Sequence, residues 1–351
     1  MRIGLPREIK DGEARVALTP AGIAALARAG HATVVERGAG AASGFADADY
    51  ARAGAAFGEP WDAPLVVKVK ELQPPEYSKP RPGQFVFGFQ HFGPEPALLD
   101  AALASGATFV AFETVGQGGG RLPILAPMSA IAGRLSIQVG AWCLQKQNGG
   151  SGVLLPGAPG VPPGKVLILG AGNVGSGALA VAHGIGAEVV VLAKTGGRFP
   201  LLQKSFPRAI LKTNGLETEI ETADLVVGGV LTPGQMSPKL ISRATLRTLR
   251  PGSALVDVGI DQGGIAETSR PTRHSAPTYV EEGVVHYCVP NMPAAVARTA
   301  SLALEAAVLP YLLQLAAGQE DAALKAGVQV SGGRVVHEFL ARDTGRAFHP
   351  R

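Results

Sequence analysis

The chain has 351 residues, of which 46% are hydrophobic and 17% charged, with 32 Lys and Arg against 28 Asp and Glu. A chain of this length and apolar content can build two hydrophobic cores, so we expect a globular protein of two domains. The net charge of +4 is mild and no long basic run occurs, which argues against a nucleic-acid partner.

Cysteine usage and hydropathy indicate the compartment. Cys143 and Cys288 show no Cys-x-x-Cys pattern and no pairing with histidine, so neither a disulfide scaffold nor a zinc site is indicated. The start, MRIGLPREIK, is too charged for a signal peptide. The apolar stretch 302–317 contains Glu305 and Pro310, which favours a packed helix over a membrane span. We therefore expect a cytoplasmic protein without a membrane partner.

The first third of the chain alternates short apolar runs with helical segments, the rhythm of β-α-β units. Thr19 before Pro20 predicts a helix start, because threonine caps free N–H groups and proline is preset for the first helical position. A long helix over 129–147 is predicted to link the domains. The other predicted elements here are strands over 2–5, 32–36, 65–70, 84–89 and 108–112, and helices over 20–29 and 95–104.

Residues 165–194, KVLILGAGNVGSGALAVAHGIGAEVVVLAK, predict a strand, a glycine loop, a helix and a second strand. Gly170, Gly172 and Gly175 form the pattern G-x-G-x-x-G. In this pattern the first glycine permits the tight turn, the second lets the backbone approach phosphates, and the third allows close helix–strand contact. The helix N-terminus supplies N–H groups to the anion. The segment therefore predicts a site for a nicotinamide dinucleotide, NAD(P).

One part of this dinucleotide site is missing. The second strand should end in an Asp or Glu that binds the ribose 2′-OH, and Ala193 followed by Lys194 stands there instead. Lys194 and Arg198 can meet a 2′-phosphate, so we expect NADP(H) to be used at least as well as NAD(H).

Two more apolar strands, 223–230 and 254–259, open into polar loops at their carboxyl ends, where open α/β sheets bind ligands. After the first, Thr232, Pro233 and Gly234 are expected near the cofactor. After the second, Asp261 either orients water and stabilises a developing cation, or only binds the neighbouring glycine turn. From residue 294 the chain is predicted to be helical and to pack on the first domain.

Three side chains follow predicted strands of the first domain: Arg15, Lys70 and His91. Two cations and an imidazole suit a substrate that carries a carboxylate, since Arg presents a planar fork, Lys a point charge and His a proton donor or acceptor. Each can also be a structural or solvated group. Lys68 shares the strand face of Lys70 and cannot be separated from it by periodicity. Asn291 and Met292 can line a ligand site or begin a helix.

Six blocks of the chain, in order, resemble those of the alanine dehydrogenase family, which is related to the nucleotide-binding subunit of proton-translocating transhydrogenase. The blocks are MRIGLPREIKDGEARVALTPAG, VVKVKE, LAPMSAIAGRLSIQVGA, PGVPPGKVLILGAGNVG, VDVGIDQGG and VVHYCVPNMP. The resemblance covers nearly the whole chain. It implies an α/β protein of two Rossmann-like, doubly wound domains separated by a cleft. The expected bounds are 1–127 plus 297–351 for a substrate domain and 128–296 for a dinucleotide-binding domain.

The same resemblance implies roles for single residues. Arg15 and Lys70 would hold the carboxylate and carbonyl of a keto acid, with Asn291 also at the substrate, while His91 and Asp261 would serve the acid–base steps. The expected cofactor contacts are Ser129, Gly170, Gly172, Asn173, Val174, Gly175, Lys194, Arg198, Val230, Leu231, Ile260, Asp261 and Met292. The family is commonly hexameric and sometimes dimeric, so a homo-oligomer is expected, and the hydride transfer needs no metal.

The leading hypothesis is a reversible NAD(P)-dependent oxidation of L-alanine to pyruvate and ammonium. Gln90, Phe92 and Gly93 flank His91 in a pattern unlike the family's, and Ala130 replaces a common Glu. A second hypothesis therefore keeps the chemistry with another 2-keto acid, imine or cyclic imino acid. A third is a transhydrogenase-like nucleotide-binding subunit, and a fourth is a catalytically silent nucleotide-binding protein.

Overall fold

The structure is a computed structural model and describes residues 1–118, 120–230 and 236–351. The chain forms two compact units, one of Met1–Met128 with Ala294–Arg351 and the other of Ser129–Pro293. The strands are β1 Arg2–Leu5, β2 Ala32–Val35, β3 Ala56–Phe57, β4 Leu65–Val67, β5 Phe85–Gly88, β6 Thr108–Ala111, β7 Lys165–Leu169, β8 Glu188–Leu192, β9 Ile210–Lys212, β10 Leu225–Gly228, β11 Ala254–Asp257, β12 Thr278–Glu281, β13 Val284–Tyr287, β14 Val328–Ser331 and β15 Arg334–Val335. The helices are α1 Pro20–Arg28, α2 Asp47–Arg52, α3 Pro96–Ser105, α4 Leu125–Cys143, α5 Asn173–Gly184, α6 Phe199–Ser205, α7 Leu216–Ile220, α8 Arg243–Leu246, α9 Ala297–Ala316, α10 Ala322–Gly327 and α11 Glu338–Thr344.

The sheet of the first unit has the strand order β15-β14-β6-β5-β4-β1-β2-β3. Strands β1 to β6 are parallel to their neighbours, whereas β14 pairs antiparallel with β6, and β15 antiparallel with β14. The six parallel strands follow the doubly wound order 3-2-1-4-5-6, whose direction of winding reverses between its first and fourth strands. In this unit that switch point lies between β1 and β4.

The sheet of the second unit has the order β12-β13-β11-β10-β7-β8-β9. Only β12 pairs antiparallel with its neighbour. The parallel strands again follow the order 3-2-1-4-5-6, with the switch point between β7 and β10. The fold class is thereby confirmed as α/β with two doubly wound sheets.

Central strands of both sheets are buried along their whole length, as β4, β6, β10 and β11 are. Parallel sheets covered by helices on both faces require such continuous apolar runs. This explains why these strands, LVV, TFVA, LVVG and ALVD, consist mainly of apolar residues.

The helix α9 belongs to the core of the first unit. Met292–Ala316 is long and apolar enough to cross a membrane by length and composition, yet half of its most apolar stretch is buried inside the protein. Its Glu305 accepts hydrogen bonds from the Thr19 backbone N–H and from the Gly22 N–H at 3.1 Å, at the start of α1. Burial raises the pKa of the Glu305 carboxyl. The predicted Thr19 cap is confirmed, since its hydroxyl accepts from the Ala21 N–H.

Two predictions for the connecting segments were wrong in part. The linking helix predicted over 129–147 begins and ends four residues earlier, at Leu125 and Cys143. The end of the chain is not only helical, because β14 and β15 extend the first sheet beyond β6. These strands are short and partly polar, so they lack the apolar run that identifies a buried strand.

Candidate active site

Arg15 lies in the loop after β1, at the switch point of the first sheet, and is 3% exposed. Its Nε donates to Glu13 Oε1 at 2.8 Å and its Nη2 to Glu13 Oε2 at 2.6 Å. Nη1 faces the Met128 sulfur at 3.3 Å. Such a two-point pair fixes the guanidinium plane. The alternative of a solvated charge is therefore excluded for Arg15.

The structure separates the two lysines that follow β4. Lys68 is 1% exposed and its Nζ donates to Glu76 Oε2 at 2.6 Å, with Glu8 Oε2 at 3.9 Å. Lys68 is thus a structural ion-pair residue. Lys70 is 9% exposed and its Nζ lies 6.0 Å from the centre of the Phe89 ring. Lys70 is therefore the better candidate for a substrate contact.

His91 follows β5, beside Lys70, and its ring stacks on Phe89 with centroids 5.7 Å apart. Its Nδ1 lies 2.9 Å from Glu71 Oε2. Its backbone has φ 46°, a left-handed conformation that non-glycine residues rarely adopt. Glu113 holds this conformation by accepting the His91 N–H at 2.9 Å. The His91 side chain is 41% exposed, so a ligand can reach it.

Glu71 is almost fully buried beside these cations. Burial by itself raises the pKa of the Glu71 carboxyl, but the hydrogen bond to His91, the charges of Lys70 and His91 and the hydrogen bond to Lys10 outweigh it. Together they hold the pKa of this carboxyl well below its usual range. Glu71 is thus a carboxylate in the physiological pH range.

In the second unit, the glycine loop joins β7 to α5 at the switch point. Gly170 has φ 110°, and a Cβ on Gly175 would stand 1.8 Å from the Gly170 carbonyl oxygen, so both positions require glycine. A Cβ on Gly172 would meet nothing within 4 Å, because the backbone there faces open space at the start of α5. These residues fit a pyrophosphate, which needs close backbone approach and a helix N-terminus.

Other predicted cofactor residues surround this loop. Asn173 is exposed, Val174 is buried and Ser129 is half-buried on α4. The helices α4 and α5 are in close contact, since a Cβ on Gly133 would stand 1.9 Å from the Val174 carbonyl oxygen. Val230, after β10, is half-buried and accepts a hydrogen bond from Ser237 at 3.4 Å. Leu231 and the predicted residues Thr232, Pro233 and Gly234 lie outside the described residues.

Two aspartates near the end of β11 have different surroundings. Asp257 is fully buried and accepts hydrogen bonds from the N–H groups of Gly259 and Ile265 at 3.2 and 2.7 Å. Burial raises the pKa of the Asp257 carboxyl. Asp257 therefore has the turn-binding role that was the alternative for Asp261. Asp261 is exposed on the short 3-10 helix Val258–Gln262, next to the buried Ile260.

Ala193 and Lys194 follow β8, whose bounds match the predicted strand end. The Ala193 N–H donates to the Lys212 carbonyl at 3.1 Å, so the strand pairing continues to this residue. Lys194 and Arg198 are exposed. At the C-terminal end of the chain's second unit, Asn291 has φ 58° and Met292 is 2% exposed.

Three carboxylates of this site are new relative to the sequence prediction: Glu13, Glu71 and Glu113. Glu13 lies two positions before Arg15 in GEARVAL, and Glu71 directly follows Lys70 in KVKEL. An acid so close to a predicted substrate-binding cation could have been predicted to pair with a side chain of the site. Among the residues that the structure describes, no group of three His, Cys, Asp or Glu side chains could hold a metal ion.

The second sheet, with a glycine loop at its switch point and a helix starting at Asn173, defines a dinucleotide-binding α/β protein. The family model for the alanine dehydrogenase/PNT N-terminal domain matches residues 4–132, and that for the C-terminal domain matches residues 136–338. The chain belongs to the alanine dehydrogenase/PNT family. The resemblance found in the sequence is thereby confirmed.

Individual relatives agree with this assignment. The alanine dehydrogenase of Halomonas elongata is 46% identical over 360 residues, which cover 98% of this chain and 97% of the relative. A solved structure of L-alanine dehydrogenase superposes with a TM-score of 0.94 at 44% identity, covering 98% of this chain and 99% of the other. A solved transhydrogenase from Sinorhizobium meliloti has a TM-score of 0.83 at 25% identity, with 96% and 99% coverage.

Proposed function

We propose that the protein catalyses the reversible oxidative deamination of L-alanine to pyruvate and ammonium with a nicotinamide cofactor. The observation that carries this proposal is the presence of Arg15, Lys70 and His91 at neighbouring strand ends of the first sheet. The full-length identity to alanine dehydrogenases supports it. In this proposal the first unit binds the substrate and the second binds the dinucleotide.

The reaction requires that the carboxylate be held, the carbonyl be polarised and a proton be moved. When bound, the nicotinamide accepts or returns the hydride of the substrate Cα. Arg15 holds the carboxylate through a guanidinium whose plane is already fixed by Glu13. Lys70 polarises the carbonyl oxygen, and His91 gives or takes a proton through its ring.

We assign Asp261 to stabilisation of the cationic nitrogen or to orientation of water. Its support is its exposed position after β11 and the contrast with the buried Asp257. The prediction separates the two acids: Asp261→Asn lowers kcat in both directions, whereas Asp257→Asn lowers the stability of the second unit. Asn291 and Met292 stay predicted substrate and cofactor contacts.

Another 2-keto acid, imine or cyclic imino acid is the close alternative, because Gln90 and Phe92 are unlike the family's pattern around His91. A panel of 2-keto acids with ammonium, followed by the absorbance of the reduced nicotinamide, decides between these substrates. Pyruvate at the highest kcat/KM supports the proposal. A kcat/KM for pyruvate far below that of another acid contradicts it and favours the alternative.

The transhydrogenase-like subunit is a candidate of another class, supported by the 25% identical transhydrogenase structure. Such a subunit binds no keto acid and has no use for Lys70 and His91 together. His91→Ala should abolish reductive amination if the protein is a dehydrogenase. Unchanged rates in this variant, or no turnover of any keto acid by the native protein, would favour the nucleotide-binding alternatives.

We further propose that NADP(H) is used at least as well as NAD(H). The methyl side chain of Ala193 cannot accept a hydrogen bond from a ribose 2′-OH, and the exposed Lys194 and Arg198 supply positive charge next to it. A cavity of about 530 Å³ lies at the end of β9, lined by Lys212, Thr213 and Asn214 among others. Lys212 pairs with Leu192 of β8 and accepts from the Ala193 N–H.

The cofactor proposal is tested by kcat/KM for both cofactors in three proteins. The native chain should be at least as efficient with NADPH as with NADH. Ala193→Asp should shift the preference toward NADH, and Lys194→Ala should lower kcat/KM for NADPH but not for NADH. A large NADH preference in the native chain would refute it. Assembly into a homo-oligomer and a cytoplasmic location also stay predictions, and light scattering of the purified protein tests the former.

A further inference from the structure

Glu71 is placed so that each carboxylate oxygen meets a nitrogen of a different side chain. Oε2 lies 2.9 Å from His91 Nδ1, and Oε1 forms an ion pair with Lys10 Nζ. The Glu71 side chain is 7% exposed, whereas that of Lys10 is 37% exposed. The carboxylate thus contacts His91 from the protein interior, and Lys10 closes its solvent side.

An ionised carboxylate only accepts hydrogen bonds. A neutral imidazole has one N–H and one lone pair, so the nitrogen next to Glu71 must carry the proton. Nε2 is then the nitrogen left to exchange a proton with a substrate.

We infer that Glu71 is a positioning residue of the reaction, which fixes the Nδ1–H tautomer of His91 and so assigns proton exchange with the substrate to Nε2. This inference rests on the acid–base role of His91 under the proposed function. Glu71 itself exchanges no proton with the substrate. Its effect is exerted through the ring that it contacts.

Two other contacts fix the location of His91 without fixing its tautomer. The ring stacks on Phe89, and the backbone N–H is held by Glu113. Neither contact distinguishes which ring nitrogen is protonated. Loss of the Glu71 carboxylate should therefore leave the His91 ring near its native position, but the ring proton should no longer be confined to Nδ1. A residue with a merely structural role would not change the tautomer.

The substitution Glu71→Gln tests the inference. Lys10 donates to the Oε1 position, so it holds the amide oxygen there and directs the amide NH2 to Nδ1, which favours the opposite tautomer. We would record ¹⁵N histidine spectra of the full-length protein above the imidazole titration, with the His91 signals identified by their loss in His91→Gln. The native protein should show the Nδ1–H tautomer. Glu71→Gln should show the Nε2–H tautomer or a mixture, and Glu71→Asp should restore part of the native signal.

Kinetics supply the second readout. In Glu71→Gln, kcat should fall on the order of 10²- to 10⁴-fold, the usual contribution of acid–base catalysis, while KM for the keto acid changes much less. Lys10→Met is the matched control, because it removes the other ion pair of the same carboxylate. It should keep the native tautomer and a kcat within about threefold of native, because the partly exposed Lys10 does not contact His91 and its pairing with Glu71 is screened by solvent.

A native tautomer in Glu71→Gln, or a kcat within about twofold of native, would overturn the inference, since acid–base contributions are far larger. The spectra need no turnover. If His91→Ala keeps full activity, the acid–base role of His91 fails and the proposed function must change, whatever the tautomer. If His91→Ala is inactive and Glu71→Gln keeps both tautomer and rate, only the role of Glu71 fails.

Discussion

Glu13 and Arg15 form a buried, two-point ion pair, in which the Nε and Nη2 groups each donate to a different carboxylate oxygen. The Glu13 side chain is fully buried and that of Arg15 is 2% exposed. The two residues are separated by a single position, so the loop after β1 orients its own guanidinium. The Nη1 group, which faces Met128, lies on the other side of the fork.

Removing Glu13 should destabilise the protein and weaken substrate binding together. Glu13→Ala leaves a buried guanidinium without its carboxylate, which should lower the free energy of unfolding by about 3–5 kcal/mol. KM for the keto acid should rise, because the fork loses its orientation. Denaturant titration and steady-state kinetics measure the two effects. Lys79→Ala, which removes an exposed ion pair with Glu59, should cost less than about 1 kcal/mol.

Alanine should affect cofactor binding at the second glycine of the loop after β7 and stability at the third. Gly172→Ala places its methyl group in open space, so the fold should keep its stability within about 0.5 kcal/mol while KM for the dinucleotide rises. Gly175→Ala drives a Cβ against the Gly170 carbonyl, and overpacking of this kind costs about 1–3 kcal/mol or more. Thermal unfolding and cofactor titration compare them. Equal tolerance of both changes would contradict the phosphate-loop assignment.

The left-handed backbone of His91 predicts that glycine is preferred over alanine there. Both variants lose the imidazole, but His91→Gly should be more stable than His91→Ala by about 1 kcal/mol, because alanine is strained at φ 46°. Leu302, which is exposed within α9, gives the control pair: Leu302→Ala should be more stable than Leu302→Gly by about 1 kcal/mol. Denaturant titrations of the four variants test this. The same order at both positions would be inconsistent with the strained backbone.

Glu8 should make stability depend on pH. Burial raises the pKa of this carboxyl from 4.5 to about 7, against the opposing charge of Lys68. The folded state therefore holds the proton more tightly than the unfolded chain. The contribution is complete below pH 4.5 and is lost as the pH rises to about 7, a change of roughly 3 kcal/mol.

Glu8→Gln should remove this slope. Its free energy of unfolding relative to the native protein should increase steadily between pH 4.5 and 7, measured by denaturant titration at a series of pH values. Asp11→Asn, at an exposed position, is the control and should leave the native slope in place. A native-like slope in Glu8→Gln would show that another group carries the pH dependence.

The sequence pattern predicted best those elements whose residues all favour the same secondary structure. The strand β8 was predicted at the bounds that the structure shows, because three valines and a leucine follow a glycine turn and precede a polar loop. The glycine loop and the cap at Thr19 depend on contacts within a few residues, which a sequence displays directly.

Contacts between distant residues limited the prediction of the site. His91 meets Glu71 and Glu113, which are 20 and 22 positions away, and strand pairing alone brings them together. Periodicity places Lys68 and Lys70 on one strand face, and only the positions of Glu76 and Glu8 show that Lys68 is an ion-pair residue. Asp257 and Asp261 likewise differ in burial, which the sequence ALVDVGIDQGG does not reveal.

The first unit is discontinuous, because Ala294–Arg351 joins Met1–Met128 and adds β14 to the edge of β6. A ribosome makes the chain from its N-terminus, so the whole of Ser129–Pro293 emerges before the first unit has all of its residues. The second unit can therefore fold while the first still lacks α9, whose Glu305 holds the start of α1. The loop after β1, which holds the predicted substrate residue Arg15, would then gain the support of α9 only after the second unit has been made.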